Sequence, residues 1–316
     1  MYEFLIKRPL GFIIGFIYEL VQNYGLAIIL FTIVVKLILL PLNIKSQKAM
    51  RKQQKIQPII AGLQAKYAND KEKLQREMMK VYKENNVSMA GGCLPMLIQM
   101  PILIGLYHVI QRPITYIAGV TDWSEDKLQI VGALRDKIAE AFPALLGEFA
   151  GAEPSSIIQT GQITLSKWCS ALGEQLDWVL NFNFLGLDLS QKPSAAISPL
   201  MRGDFSNLSV VLLILIPVLA VLTTWLSSKF MQSQNKTANT SADDQAAQMT
   251  SSMNVIMPIM TGYFTFILPS GMGLYWIISS VMQMVQQIAL NYYFDKKGDD
   301  FNVKLPEKNN KKRKKH

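Results

Sequence analysis

The segment IVVKLILLPL at residues 33–42 sets one ammonium, Lys36, among Ile33, Val34, Val35, Leu37, Ile38, Leu39 and Leu40. A lysine there is a compact charge with three donors, able to attract a carboxylate or a polar peptide. It is also costly: a lysine at the centre of a membrane helix costs about 2.5–3.5 kcal/mol on insertion scales. Counted along one helix over 25–43, Lys36 is 11 residues into a 19-residue stretch. That is about 3 Å past the middle at about 1.5 Å per residue. One reading is a water-filled cavity inside a helix bundle. The other is a lysine snorkelled to one end of a span, which would have to reach about 10 Å. The depth favours the cavity.

Further polar residues interrupt apolar runs. Thr32 and Asn43 lie at i−4 and i+7 from Lys36, on its face of a helix. Gln99 sits between Pro95 and Pro101. Thr223, Thr224 and Ser227 close another apolar run, and Trp276, Ser280, Gln283 and Gln287 follow one another at i, i+4, i+7 and i+11. Ordinary interhelical hydrogen bonds would explain any one of them. Together with a cation at depth they point to a hydrophilic groove that binds substrate. No Asp or Glu falls within the five apolar stretches described below, whereas a proton-coupled transporter usually places a carboxylate at depth. Positive charge and amides suit a passing acidic or polar peptide.

Nothing points to catalysis. There is no Gly-rich phosphate loop, no HExxH and no nucleophile elbow. The histidines are His108 and His316 and the cysteines Cys93 and Cys169, too few and too scattered for a metal site. The chain reads as a non-enzyme, with neither metal nor cofactor.

The elements that would carry these residues are membrane helices. Of 316 residues half are hydrophobic and 17% are charged, against about 25% charged in a soluble domain. A span needs about 20 mostly apolar residues. Five stretches qualify: 25–43, 92–111, 208–228, 253–268 and 272–292, the last two joined through Pro-Ser-Gly at 269–271 into a tight hairpin. Within 1–24, the segment LGFIIGFIYELV at 10–21 carries a stripe of Phe12, Ile13, Phe16, Ile17, Leu20 and Val21. It reads as an interfacial helix, with a sixth span as the alternative.

Charge orients the chain. Residues 44–90 carry 11 Lys and Arg against 4 Asp and Glu, residues 295–316 carry 9 against 4, and residues 112–207 carry 7 against 11. The positive-inside rule puts the first two in the cytoplasm. The N-terminus and the 112–207 region then face outward. Cys93 and Cys169 fall on opposite sides, so a disulfide between them is not expected. Apolar residues recur at helical spacing through Met50, Ile56, Ile59, Ile60, Leu63 and Tyr67, then Leu74, Met78 and Val81, with a polar break at YANDKEK. This predicts a cytoplasmic helical hairpin over 44–91; the alternative is a solvated basic linker. The polar 229–252 segment reads as a flexible cytoplasmic loop. The tail 295–316 ends in Lys311, Lys312, Arg313, Lys314 and Lys315, a run suited to anionic lipid headgroups or ribosomal RNA, or to topology alone.

Five segments resemble, in order, the YidC/Oxa-type membrane protein insertases: NYGLAIILFTIVVKLILLPLNIKSQKA at 23–49, GGCLPMLIQMPILIGLY at 91–107, FLGLDLSQKPS at 184–194, LIPVLAVLTTWLSSKFM at 215–231 and MPIMTGYFTFILPSGMGLYWIISSVMQMVQQ at 257–287. The resemblance covers nearly all of the chain outside 116–180. It implies an all-α polytopic membrane protein with five transmembrane helices around a hydrophilic groove and a cytoplasmic hairpin that receives substrate. Its partners would be nascent membrane proteins, with the ribosome and a Sec translocon as further candidates. Lys36 matches the position of the family's groove cation, for which bacterial members mostly carry arginine; lysine keeps the charge but loses the bidentate fork. Ser227 stands where many members have glutamine. The 116–180 region is longer than usual, and its LQIVGALRDKIAEAFPALLGEF reads as amphipathic helix. No lipoprotein-type cysteine lies near the N-terminus, so anchoring is expected from the spans. The competing readings are a secondary transporter, which predicts inverted repeats not visible here, and a non-catalytic membrane assembly subunit.

Overall fold

Prolines stop some helices and lie inside others, as Pro58, Pro101 and Pro258 do. The computed structural model describes residues 3–88, 94–174, 176–203, 208–234 and 245–297. After a π-helical turn at Glu3–Lys7 come α1 (Arg8–Val21), α2 (Tyr24–Ile38), α3 (Leu40–Lys66), α4 (Lys71–Glu84), α5 (Leu94–Gln111) and α6 (Pro113–Tyr116). Then follow α7 (Glu125–Ala141), α8 (Pro154–Thr160), α9 (Gln162–Leu172), strands β1 (Asn183–Phe184) and β2 (Leu187–Asp188), and α10 (Ile197–Arg202). The chain continues through α11 (Leu208–Leu212), α12 (Leu215–Gln234), α13 (Gln245–Ile267) and α14 (Ser270–Lys297). Pro217 cannot donate to the Leu213 carbonyl. The chain tightens there: Ile214 N–H turns to the Val211 carbonyl at 3.2 Å and Ile216 N–H to the Leu213 carbonyl at 3.1 Å. Through this turn α11 and α12 run as one helix, Leu208–Met231, which contains the apolar stretch 208–228 and is long and apolar enough to cross a membrane. The 25–43 stretch is divided at Leu39, 253–268 lies in α13 up to Ile267 with its apolar part at Ile256–Ile267, and 272–292 lies within α14.

The described residues fall into two units, Met1–Leu37 with Gln99–Trp225 and Ile256–Met282, and Ile38–Ile98 with Leu226–Val255 and Gln283–His316. In the first, α7, α8 and α9 pack on one another. Val131, Leu134 and Ile138 of α7 share one face and are buried, and Glu125 and Asp126 sit in its first turn, where acidic groups favour the helix dipole. The amphipathic run at 128–149 is not one helix throughout: Pro143 ends α7, and short 3₁₀ turns follow at Pro143–Leu145 and Gly147–Phe149. Trp168 of α9 is fully buried, donates its indole N–H to the Leu145 carbonyl at 2.9 Å and meets Phe149 edge-on.

The strands form a minimal antiparallel pair, Asn183 opposite Asp188 and Phe184 opposite Leu187. Leu185 and Gly186 between them both have positive φ, 51° and 79°, the pattern of a type I′ hairpin turn. This hairpin closes on the start of two apolar helices. A Cβ added to Gly25 of α2 would lie 2.2 Å from the Phe184 ring, so only glycine lets the ring in. The N–H groups of Ser270 and Gly271, opening α14, donate to the carbonyls of Gln191 and Leu189 at 2.8 and 2.9 Å, which satisfies two amides that a helix start leaves open.

In the second unit α3 and α4 pair as antiparallel neighbours. Tyr67 closes α3, and the Asp70 carboxylate accepts from Lys73 N–H at 3.0 Å to open α4. Ile56, Ile60, Leu63, Val81 and Tyr82 form the buried seam, flanked by Ile59, Tyr67, Leu74, Met78 and Val87. Two helices bury little surface, so such a pair opens at low cost. Hydrogen exchange across residues 50–85 is therefore expected to be faster than across α12. Ile60→Ala should lower the hairpin's protection further, by about 2 kcal/mol or more. Protection equal to that of α12 would show that the pair is docked rigidly.

Candidate functional site

Pro41 has no N–H for the Leu37 carbonyl, and α2 ends at Ile38. The N–H groups of Leu42 and Asn43 instead reach the Leu39 carbonyl, at 3.1 and 2.9 Å, and start α3. Lys36 thus sits in the last turn of α2. Counted in α2 alone, and not along one continuous 25–43 helix, Lys36 is near a helix end, the end that carries the negative pole of the helix dipole. That placement stabilises a cation by about 0.3–1 kcal/mol, more where partly buried. Lys36 is only 8% exposed, although its neighbours Leu37 and Ile38 are 54% and 60% exposed. Thr32 is fully buried, and its hydroxyl donates to the Ile28 carbonyl at 2.7 Å. It therefore satisfies itself within α2.

On α14 successive turns reach different neighbours. The side-chain amide of Gln99, on α5, donates to the Tyr275 hydroxyl. Trp276 stacks on Phe264 of α13 with ring centroids 6.5 Å apart and planes 11° apart. Ser280 lies 3.4 Å from the Thr224 hydroxyl of α12. Thr223 turns its hydroxyl to its own helix, donating to the Leu219 carbonyl at 2.8 Å. Gln99 thus meets α14 at Tyr275, Thr224 meets it at Ser280 and Phe264 meets it at Trp276, while Thr32 and Thr223 are engaged locally. Tyr275 was not among the residues singled out from the sequence. It is 2% exposed, and a buried tyrosine next to the polar stripe is itself a signal, because its hydroxyl needs a partner.

Ser227 and Gln283 belong to the second unit. Ser227 is buried, whereas Gln283 is exposed, its amide 3.6 Å from the Met231 sulfur. The stripe continues there as a ladder between α3 and α14. Asn43 donates to Gln286 at 3.2 Å, Gln47 and Gln287 exchange amide hydrogen bonds, and Gln287 also donates to Asn291 at 3.2 Å. The Arg51 guanidinium donates to Asn291 Oδ1 at 3.0 Å and to Asp295 at 2.9 Å, and lies over the Phe294 ring at 5.0 Å. Asn43, Gln47 and Arg51 recur at i, i+4 and i+8, as do Gln287, Asn291 and Asp295. The spacing is readable in the sequence, but charge and amide character in a basic segment hid it.

Among the described residues no group of three or more His, Cys, Asp or Glu could hold a metal. His108 Nδ1 lies 2.7 Å from the Ile104 carbonyl of its own helix. The Cys169 thiol is buried and pushed up to about 11, by burial first and then by Glu174, so it is a poor nucleophile at neutral pH. Cys93 and the run Lys311, Lys312, Arg313, Lys314 and Lys315 lie outside the described residues.

Largely helical, with one described helix long and apolar enough to cross a membrane, the chain fits an all-α membrane protein. Residues 16–297 match the family described as 60Kd inner membrane protein. The chain belongs to that family, the YidC/Oxa family. The membrane protein insertase YidC of Clostridium perfringens is 34% identical over 268 residues, 84% of this chain and 76% of that protein. The protein of the same name from Caldanaerobacter subterraneus is 28% identical over 282 residues, 89% of this chain and 92% of that one. The insertase of Nitratidesulfovibrio vulgaris is 49% identical over 109 residues, and the match spans only 20% of its length.

The ladder carries a testable load. Hydrogen bonds to charged groups are worth about 1.5–3 kcal/mol, and Arg51 makes several. Arg51→Leu should lower the thermal midpoint in detergent and speed hydrogen exchange in the first turns of α3. Asp295→Asn, which spares the Asn291 contacts, should cost less. Equal losses would assign the stabilisation to the ion pair alone.

Proposed function

We propose that this chain is a membrane protein insertase and chaperone, which helps integrate and fold nascent membrane proteins through a hydrophilic intramembrane groove. Five transmembrane helices would surround the groove, with the N-terminus outside, the 44–91 hairpin and the C-terminal tail in the cytoplasm, and residues 112–207 outside. The observation that carries the reading is Lys36, 8% exposed on an apolar helix, in a chain whose relatives are named membrane protein insertase. A wet recess part-way into the bilayer shortens the hydrocarbon path for a polar segment. The charge rewards an acidic one: unit charges 4 Å apart attract by about 4 kcal/mol at an effective dielectric of about 20, an upper scale where water enters. Thr32, Gln99, Thr223, Thr224, Ser227, Trp276, Ser280 and Gln283 would line or support the path. No chemical step is required, so the protein acts without cofactor.

The test is protease protection of paired single-span substrates that differ only in tail charge, in liposomes holding this protein alone. Lys36→Arg should keep insertion. Lys36→Ala should fail for acidic tails and spare neutral ones, and Lys36→Glu should be worst for the acidic class. If Lys36→Ala inserts both as the parent does, the lysine is a snorkelled residue and not an attractor. If the parent itself does no better than empty liposomes, the assembly-subunit reading takes over.

The tail adds a recruitment step to this reading. Deleting 304–316, with its five consecutive basic residues at 311–315, should reduce co-sedimentation with ribosomes at low salt, where such phosphate contacts are strongest. Equal sedimentation with and without the tail would leave it only a topological role.

A further inference from the structure

A cleft of about 480 Å³ opens in the first unit between the Glu3–Lys7 turn, the start of α1, the α5–α6 junction and α8–α9. Arg8 and Arg112 line it, with Glu3, Tyr116, Phe12 and Trp123. The single carboxylate is already engaged: Glu3 accepts from the Tyr116 hydroxyl at 2.7 Å and from Lys7 at 3.2 Å. The first of these bonds does most to hold its carboxyl below the usual range. Arg8 and Arg112 both border the cleft, the Arg8 guanidinium lying over the Phe4 ring at 4.3 Å. Gln162, in the floor, is occupied by Thr115 at 2.6 and 3.0 Å. What the cleft offers an incoming group is therefore two arginines beside an aromatic wall.

An apolar line leaves the same place. Phe12, Phe16 and Leu20 follow at i, i+4 and i+8 on α1 and are 75%, 55% and 69% exposed. Arg8 stands one turn before Phe12. Cation at one end and an exposed apolar row running away from it is the complement of an anionic amphiphile.

We infer that this cleft binds the phosphate headgroup of an anionic phospholipid through Arg8 and Arg112, with an acyl chain lying along Phe12, Phe16 and Leu20. Guanidinium forks match phosphate oxygens bidentately, and Trp123 suits the boundary between headgroup and chain. Its residues are not those assigned to the groove, and it requires only that the chain lies in a membrane, whether or not it inserts other proteins.

The test is native mass spectrometry of the delipidated full chain, titrated with phosphatidylglycerol or phosphatidylcholine of equal chain length. The wild type should retain phosphatidylglycerol at least about tenfold better, and inorganic phosphate should not displace it. Arg8→Gln and Arg112→Gln should each weaken retention about fivefold, while Arg202→Gln, an equal loss of charge elsewhere, should not. Equal loss in Arg202→Gln, no loss in either cleft variant, or no preference between the lipids would overturn the proposal. Displacement by inorganic phosphate would make the cleft a site for free anions instead. Should a cleft variant fail to fold, the lipid preference and the phosphate competition of the wild type still decide.

Discussion

Pro41 withholds one N–H from the Leu37 carbonyl, and much of the described structure depends on that missing bond. Because of it α2 stops at Ile38 and a new helix begins at Leu40. The stop leaves the carbonyl ends of α2 next to Lys36, so the most expensive side chain in the apolar segment lies where a helix offers partial negative charge. The restart sets the phase of α3, and with it the face that carries Asn43, Gln47 and Arg51. Had the helix run on unbroken, neither placement would follow from the sequence.

The last helix organises the rest. Tyr275, Trp276 and Ser280 engage α5, α13 and α12 respectively. In an apolar surrounding an interhelical hydrogen bond averages about 0.6 kcal/mol, so no single contact fixes the arrangement. Several, each to a different neighbour, restrict it to few alternatives. The β1–β2 hairpin and its following loop add backbone bonds to Ser270 and Gly271, which anchor the beginning of that helix.

Periodicity was the legible part. The spacing of Ile56, Ile60, Leu63 and Val81 is plain in the sequence, and these side chains share one seam; Tyr82 and Val87 joined it unannounced, because a tyrosine beside lysines reads as surface. The polar stripe on α14 was visible as far as Gln287, but not its partners on α3. Thr32 and Thr223 show a limit of another kind: a hydroxyl can face a groove or bond its own helix, and only the rotamer decides. The helix break after Lys36 was missed although its physical reason was present in the letters, since a proline four residues after Leu37 leaves that carbonyl without its helical partner. Of the packed group α7–α9 only residues 128–149 were read from the sequence, as amphipathic helix, because α8 and α9 are short and the group's core is assembled from all three.

The ladder between α3 and α14 has a gradient built into its chemistry. Its first rungs, Asn43 with Gln286 and Gln47 with Gln287, are uncharged amides; its last is the pair Arg51 and Asp295, the aspartate 71% exposed. Salt weakens the attraction between exposed charges but leaves amide pairs untouched. The joint at the root of the helical hairpin is therefore a clasp with a constant inner catch and a salt-tuned outer one. Raising the ionic strength would therefore weaken the Arg51 end of the ladder before the Asn43 end.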